Sequence, residues 1–300
     1  MASKPELSIV IPAWNARELL AESLPLTLAA LAADGVAAEL VVIDNASSDG
    51  TAAWLAERYP DARVTTLPAN EGFVLASNRG VRLATASRVL LLNADMALEP
   101  GFARLVLPLL ADDRVFAVDS RIIDWETGAD CEGARQLRHG VVWLKLARRV
   151  ADGPVATAYA TGGGCVIDRE KFLALGGFAE LFAPGYAEDY DLSLRAWRHG
   201  WRVLHQPQAV TRHRQQQTWR QLIGEARRRR LLMRNLWLLH WRHLSWPCLL
   251  LQALCWPLLA ALQTLRYGLP ALHGALAALP LLPRALAQRV NEGTLGDVRA

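Results

Sequence analysis

The stretch "RVLLLNADMALEP", Arg88–Pro100, runs four apolar residues, Val89 to Leu92, into Asn93, Ala94 and Asp95. An apolar run of this length is the pattern of a strand buried in a parallel sheet. An ionised carboxylate at its end is costly unless it meets a metal ion, a basic side chain or water. A second acidic site, "AEDYDLSLRAWRHG", puts Glu188, Asp189 and Asp191 at the start of a segment with helical apolar spacing at Leu192, Leu194 and Trp197. The positive end of a helix dipole is reason enough for acids there. Three crowded acids also raise one another's proton affinity, which suits a general base. "VVIDNASSDGT" ends a strand pattern on Asp44, placed to accept from a base or ribose donor, and is equally a polar turn with a helix cap. "NEGFVLASNRG" sets Asn78 inside a helical pattern, although Asn favours turns and caps. Gly162–Gly164 allows backbone to come close to something. His213, in "VTRHRQQQT", reads alone as a surface histidine among arginines.

The elements that must position these residues follow from periodicity. Strands are expected at Leu7–Ile11, Leu40–Ile43, Arg63–Leu67 and Val89–Leu92. Helices are expected at Arg17–Ala33, through Trp54 and Leu55, and at Val74–Ala84. This βαβαβαβ order implies an α/β fold with a mainly parallel sheet and helices on both faces. Ligands bind such sheets beyond the carboxyl ends of the strands, where Pro12–Asn15, Asp44–Asp49, Asn70–Gly72 and Asn93–Asp95 fall. From Val115 to Val155 the pattern weakens to one expected strand and a variable excursion. Then Cys165–Ile167 reads as a strand, Asp168 as the cap of a helix at Arg169–Leu175, and Glu188–Arg198 as a helix.

Charge divides the 300-residue chain. Residues 1–205 hold 20 Lys+Arg against 26 Asp+Glu, net −6, whereas 206–300 hold 13 against 3, net +10. A basic last third suggests a membrane surface or polyanion near it. Residues 206–267 contain ten Arg, one acid (Glu225) and five Trp, with Arg227–Arg230 as a continuous basic run. Leu244–Leu265 then has no charge for 22 positions, enough to span a bilayer, but Pro247, Pro257, Gln252 and Gln263 interrupt it. A second uncharged run, Tyr267–Pro283, carries three prolines. Interfacial or re-entrant helices fit better than a clean span, with the Arg cluster and Trp237, Trp241, Trp246 and Trp256 at the headgroup boundary. The ordinary alternative is a buried helical pair with a solvated basic face. Nucleic acid is not an expected partner, because the basic run is flanked by long apolar stretches. Four cysteines without C-x-x-C spacing fit a reducing compartment, and no apolar segment precedes the first strand, so no signal peptide is expected.

Taken together and in order, "SIVIPAWN", "VVIDNASSDGT", "NEGFVLASNRG", "LLLNADM", "TGGGCVIDREKFLALGGF" and "AEDYDLSLRAWRHG" resemble the family 2 glycosyltransferases of the GT-A fold, especially the rhamnosyltransferase-like branch. The resemblance covers roughly residues 7–215. It implies a GT-A domain over 1–215 and a C-terminal membrane-associating helical region over 216–300. It also implies that Pro12, Ala13 and Asn15 line the nucleotide pocket, that Asp44 holds the base with Asn45 beside it, and that Asn70, Gly72 and Asn78 contact the nucleotide sugar. Asn93-Ala94-Asp95 takes the place of the D-x-D motif. Asp95 and His213 would hold a divalent metal, Mg²⁺ or Mn²⁺. Asp189 would be the catalytic base, Glu188 would bind substrate beside it, and Gly162, Gly163 and Gly164 would shape the acceptor site.

Two positions depart from the pattern. Asn93 replaces the first acid of D-x-D, removing one negative charge from the metal site, and Ala179 replaces the usual Asp after Gly-Phe. The expectation is an inverting transfer from a nucleotide-diphosphate sugar to a lipid-linked or cell-surface glycan, in polysaccharide biosynthesis at the cytoplasmic face of the cell membrane. Its rivals are a catalytically silent GT-A membrane scaffold and a nucleotidyltransferase. The first needs none of Asp44, Asp95 and Asp189. The second favours a Gly- and Arg-rich N-terminal loop that this sequence lacks.

Overall fold

Alternating burial of the apolar runs builds one ten-stranded sheet with a core on each face. The computed structural model describes residues 5–140, 142–214 and 217–289. The strands are β1 (Leu7–Ala13), β2 (Ala38–Asp44), β3 (Arg63–Thr66), β4 (Arg88–Leu92), β5 (Met96–Leu98), β6 (Val115–Asp124), β7 (Asp130–Glu132), β8 (Arg135–His139), β9 (Leu144–Arg148), β10 (Val155–Ala156), β11 (Gly164–Asp168) and β12 (Arg202–His213). The helices are α1 (Arg17–Ala33), α2 (Thr51–Arg58), α3 (Gly72–Leu83), α4 (Phe102–Val106), α5 (Arg169–Ala174), α6 (Glu188–Arg198), α7 (Gln217–His243), α8 (Trp246–Leu254), α9 (Trp256–Tyr267), α10 (Leu269–Ala278) and α11 (Leu282–Ala287).

The main sheet runs β10-β12-β6-β11-β4-β1-β2-β3, with β5 on β12 and β7 on β6. β1, β2, β3 and β4 pair in parallel, as do β6 and β12, and β11 lies antiparallel between β4 and β6. The mainly parallel α/β class expected from the sequence is therefore observed. A strand's two-residue period divides each apolar run between the cores. Val89 and Leu91 face the core shared with α3 and α6, and Leu90 and Leu92 face the one shared with α1. Asp168 caps α5, its carboxylate accepting from the Lys171 amide at 3.1 Å.

The weakly patterned region holds more structure than the single strand expected. Beyond β6 it contains β7 and the antiparallel hairpin β8–β9, in which Leu137 faces Leu146. All four cysteines are free thiols.

The boundary drawn between 215 and 216 lies outside the described residues. Beyond it, α7 is broken at Gly224 and contributes Trp237, Leu238, Leu239 and Trp241 to the core that α6 also enters. α8 and α9 meet at a 72° bend, and their outer side exposes Leu250, Leu254, Leu258, Leu262 and Leu265, each more than half exposed. The continuous run Leu269–Ala287, spanning α10 and α11, is long and apolar enough by length and composition to cross a membrane, and 28% of its apolar window is buried.

Candidate active site

A cleft of about 420 Å³ opens beyond the carboxyl ends of β1, β2 and β4. Its walls bring together Pro12, Ala13, Asn45, Asn70, Gly72, Asn93, Asp95, Gly162, Gly163, Glu188, Asp189 and His213. Twelve positions singled out in the sequence thus share one concavity.

At one side, the turn after β4 is closed by the Met96 amide donating to Asn93 O at 3.1 Å and tied to α1 by Ser23 Oγ donating to Ala94 O at 2.7 Å. β5 then doubles back along β12 in antiparallel register, with Met96 opposite His213. That pairing sets His213 Nε2 3.3 Å from Asp95 Oδ2, although nothing in the local sequence links them. The two supply one hard oxygen and one imidazole nitrogen at the cleft. Among the described residues no group of three or more His, Cys, Asp or Glu gathers as a closed metal cage. A pair of protein donors with the remaining positions open fits a divalent cation whose coordination is completed by diphosphate and water. Asn93 packs over Gly163. A Cβ built at Gly163 would lie 2.2 Å from Asn93 Nδ2, so a larger residue there would displace the Asn93 side chain.

The opposite side is organised by side-chain amides. Asn45 Nδ2 donates to Asn70 Oδ1 at 2.9 Å, and Asn45 Oδ1 accepts from the Glu71 amide at 2.8 Å, tying the loop after β2 to the start of α3. Gly72 has φ 81°, and an added Cβ there would meet Pro184 Cβ at 2.5 Å. The Phe73 amide donates to Pro184 O at 2.8 Å, so the segment before α6 is pinned on α3.

That segment delivers the acids. Tyr186 and Ala187 adopt φ of 80° and 65°, a region that non-glycine residues seldom occupy. The conformation is held from α7. The amide of Asn235, fully buried, faces the carbonyls of Phe182 (2.9 Å), Gly185 (2.8 Å) and Tyr186 (2.8 Å), while Arg234 donates to Ala183 O. Asp189 emerges on the cleft wall, its Oδ1 accepting from the Tyr190 amide at 2.9 Å and its Oδ2 from the Gly162 amide at 3.4 Å. Desolvation in the cleft pushes the Asp189 carboxyl up to about 7, the two amides opposing this and the nearby Glu132 carboxylate adding to it. Burial, followed by the Asp189 charge, raises Glu188 well above the usual carboxylate range. Its Oε2 has no hydrogen-bond partner among the described residues, so a protonated Glu188 is a donor available at the cleft.

Asp191 serves a different purpose. It is fully buried, with Oδ2 accepting from Arg195 Nε at 2.9 Å and Oδ1 bound by Arg242 and by His243 Nε2, the latter at 2.9 Å. Burial opposes its ionisation, but the two guanidiniums and His243 more than offset this and hold its carboxyl well below the usual range. Burial also lowers His243 to about 4, so at neutral pH the ring donates as a neutral imidazole. The cluster joins α6, which carries Asp189, to α7.

Residues 5–230 match the family described as "Glycosyltransferase like family 2". The chain belongs to that family. It is 28% identical over 203 residues to the N-acetylglucosaminyl-diphospho-decaprenol L-rhamnosyltransferase of Mycobacterium tuberculosis, covering 58% of this chain and 66% of that one. It is 25% identical over 176 residues to human polypeptide N-acetylgalactosaminyltransferase 16, covering 54% of this chain but only 32% of the human protein, so it spans about a third of that relative. Among solved structures, S. aureus TarS 1–349 with UDP-GlcNAc aligns over 95% of this chain and 84% of its own, with TM-score 0.60 and 15% identity. A Pyrobaculum calidifontis mannosyltransferase with GDP-Man and Mn²⁺ aligns over 95% and 76%, with TM-score 0.55 and 22% identity. These likenesses establish the GT-A fold.

Four of the family residues singled out in the sequence do not line the cleft of this glycosyltransferase family 2 chain. Asn78 is the clearest correction. It is 3% exposed, and its amide is spent on the chain itself, Nδ2 donating to Phe178 O at 2.8 Å and Oδ1 accepting from the Phe178 amide at 2.9 Å. It therefore fixes the loop before α6 rather than facing a ligand. Asp44 is 1% exposed at the end of β2, its Oδ1 accepting from the Ser47 amide at 3.2 Å. Asn15, with φ 48°, accepts from the Ser48 amide at 2.8 Å and so ties the loop after β1 to that after β2. Gly164 lies in β11 against Ile122 and Ser120. Ala179 precedes the 3-10 turn Glu180–Phe182 and gives it no side-chain cap. Sequence reasoning missed Phe73, Glu132, Thr161 and Tyr186 in the cleft wall, and Asn235 behind it. Only Asn235 left a trace, a polar residue within the apolar run "LLMRNLWLLHW".

Proposed function

We propose that this protein is an inverting glycosyltransferase that moves a sugar from a nucleotide-diphosphate donor to a hydroxyl of a lipid-linked or cell-surface glycan. One observation carries the reading: Asp189, its carboxyl raised to about 7, lines the same cleft as Asp95 and His213. A carboxylate with that proton affinity is suited to general-base work near neutrality. In the proposed reaction Asp189 takes the proton of the acceptor hydroxyl as its oxygen attacks the anomeric carbon. Attack from the face opposite the departing nucleotide diphosphate inverts the centre without a covalent enzyme intermediate. Asp95 and His213 would hold a divalent cation, Mg²⁺ or Mn²⁺, which when bound neutralises charge building on the diphosphate. Pro12, Ala13 and Asn45 line the donor side, with Asn70 and Gly72 at the edge of the same wall.

The donor side has a direct test. UDP, GDP and dTDP, each with and without Mg²⁺ or Mn²⁺, are screened by thermal shift, beginning with dTDP because the mycobacterial relative is named a rhamnosyltransferase. A nucleotide at a hundred times its Kd adds about 2.7 kcal/mol of apparent stability. Stabilisation by one nucleotide is expected to need the metal and to vanish in Asp95→Ala. An equal shift in that variant would remove Asp95 from the metal site.

The C-terminal helices complete the proposal: they would seat the domain of residues 1–215 on the cytoplasmic face of the membrane, peripherally or as a re-entrant pair. Supporting this are the 72° bend between α8 and α9 and the leucines exposed along both. A bent apolar pair suits burial of one face in the headgroup boundary. The full chain should co-sediment with vesicles containing anionic lipid, and the double change Leu254→Glu, Leu258→Glu should reduce that binding at least tenfold. Wild-type protein left entirely in the supernatant would sink the membrane reading.

A further inference from the structure

A second cavity, of about 210 Å³, lies behind the cleft between the β8–β9 hairpin, α6 and α7. Trp143, Leu144 and Leu146 form its hairpin side, Leu194 lies on α6, and Leu236 and Leu239 face it from α7. Trp143, Leu144, Leu146 and Leu236 are only half-buried, so this is an apolar recess reached from outside rather than a sealed packing void. Of the polar groups in its lining, Tyr159 Oη donates to Glu132 at 3.3 Å and His240 bonds the Leu236 carbonyl through Nδ1, while His240 Nε2 has no hydrogen-bond partner among the described residues.

Its position gives it meaning. Tyr159 and Tyr190, ring centroids 3.8 Å apart, line this cavity, and each adjoins a residue of the cleft wall. Tyr190 follows Asp189 in α6, and Tyr159 holds Glu132 of the cleft wall. At the other end, Trp143 adjoins Val142, whose carbonyl accepts from Gln252 Nε2 of α8 at 2.8 Å. α8 is the helix that begins the exposed leucine face. The recess therefore adjoins the cleft wall across one layer of tyrosine, and at its other end it adjoins α8.

We propose that this recess receives the hydrocarbon chain of the acceptor, placing the attached sugar hydroxyl at Asp189; the inference rests on the glycosyltransferase reading above. An apolar cavity of ~150 Å³ takes a benzene ring, so one of about 210 Å³ takes a short stretch of chain next to the headgroup. The remainder would follow Trp143 toward the leucine face. Chain length, rather than headgroup alone, then sets acceptor affinity.

The test uses neutral alkyl glycosides, which do not compete for a diphosphate subsite. Octyl β-glucoside, kept below its micelle concentration, is titrated into the full chain by calorimetry beside hexyl and methyl β-glucoside. Affinity is expected to rise at least tenfold from methyl to octyl. Leu146→Trp, which fills the recess from the hairpin, and Ala158→Leu, which fills it from the segment after β10, are each expected to abolish the gain. Leu254→Glu, on the leucine face, is expected to leave it intact. Equal affinity along the series, or a gain surviving both filling variants, overturns the proposal. So does loss of the gain in Leu254→Glu, which would mean adsorption to the leucine face. Nucleotide binding is measured on the same samples. A chain-length effect in protein that binds no nucleotide would keep the hydrocarbon site and discard the transferase reading. Nucleotide binding without a chain-length effect would do the reverse.

Discussion

Asp189→Asn is expected to lower kcat by about 10³-fold, within the ~10²–10⁴-fold range of general-base contributions, while nucleotide binding stays as in wild type. The asparagine is isosteric, its single oxygen can keep the shorter bond from the Tyr190 amide in place of the longer one from Gly162, and the loop before α6 stays held from α7 by Asn235. What it loses is the capacity to take a proton. The pH profile gives a second reading. The Asp189 carboxyl is raised to about 7, chiefly because the cleft desolvates it. The base must be ionised to work, so kcat/KM should rise with pH up to about 7 and then level off. Below that point each pH unit should cost about tenfold. In Asp189→Asn this acid limb should disappear from whatever activity remains. Retention of near-wild-type turnover would remove Asp189 from the reaction. Loss of turnover with the limb intact would mean that another group takes the proton. Glu188 is the natural second suspect, since burial and the Asp189 charge raise its carboxyl too.

The sequence was most readable where one period dominated. α1 and α6 begin and end where the apolar spacing placed them, and β4 differs by one residue, because each buries a continuous stripe or run. The hairpin β8–β9 escaped because "RQLRH" and "LKLAR" carry only three leucines and one alanine between them and are otherwise charged or polar. Strands this short at the margin of a fold leave almost no alternation to detect. Glu132, on the three-residue β7, was invisible for the same reason. Asn78 and Asn235 teach a different lesson. Both are polar residues inside apolar helical runs, which is a true signal of something bound. In both cases what is bound is the chain's own backbone, at Phe178 and at Phe182–Tyr186. A buried amide within a helix marks unsatisfied carbonyls nearby as readily as it marks a ligand.

The largest effect on stability is expected from Asp191→Ala. The carboxylate is fully buried, and Arg195 and Arg242 are themselves no more than 7% exposed. Among the described residues neither guanidinium pairs with another acid. Replacing both sides of such a cluster with apolar groups can be neutral, but removing one partner leaves buried charge uncompensated and costs about 3–5 kcal/mol. Here a single deletion strands two cations, so the upper part of that range is expected, read as a drop in the urea midpoint at unchanged m. Arg195 keeps its bonds to the carbonyls of Leu175 and Gly177, and Arg242 its bond to Gln288 O, which limits the loss to the charge itself. Asp191→Asn, which preserves shape and can still accept one hydrogen bond, should lie between wild type and alanine. The pH dependence has a defined sign. Because the folded-state carboxyl is held below its ordinary value, the cluster stabilises the protein above the usual carboxylate range and loses that contribution progressively as the pH falls from that range to the lowered value. Asp191→Ala should therefore flatten the acid side of the stability curve while leaving a protein weaker at neutral pH. A cost below about 1 kcal/mol would mean that α6 and α7 are held by their apolar contacts alone. Asp191 stands two residues beyond Asp189 on α6, and Arg242 lies seven beyond Asn235 on α7. The same pair of helices thus carries the acid, the amide that shapes its loop and the ionic lock between them. Helix α7 is in this sense part of the cleft's foundation, although none of its described residues lines the cleft.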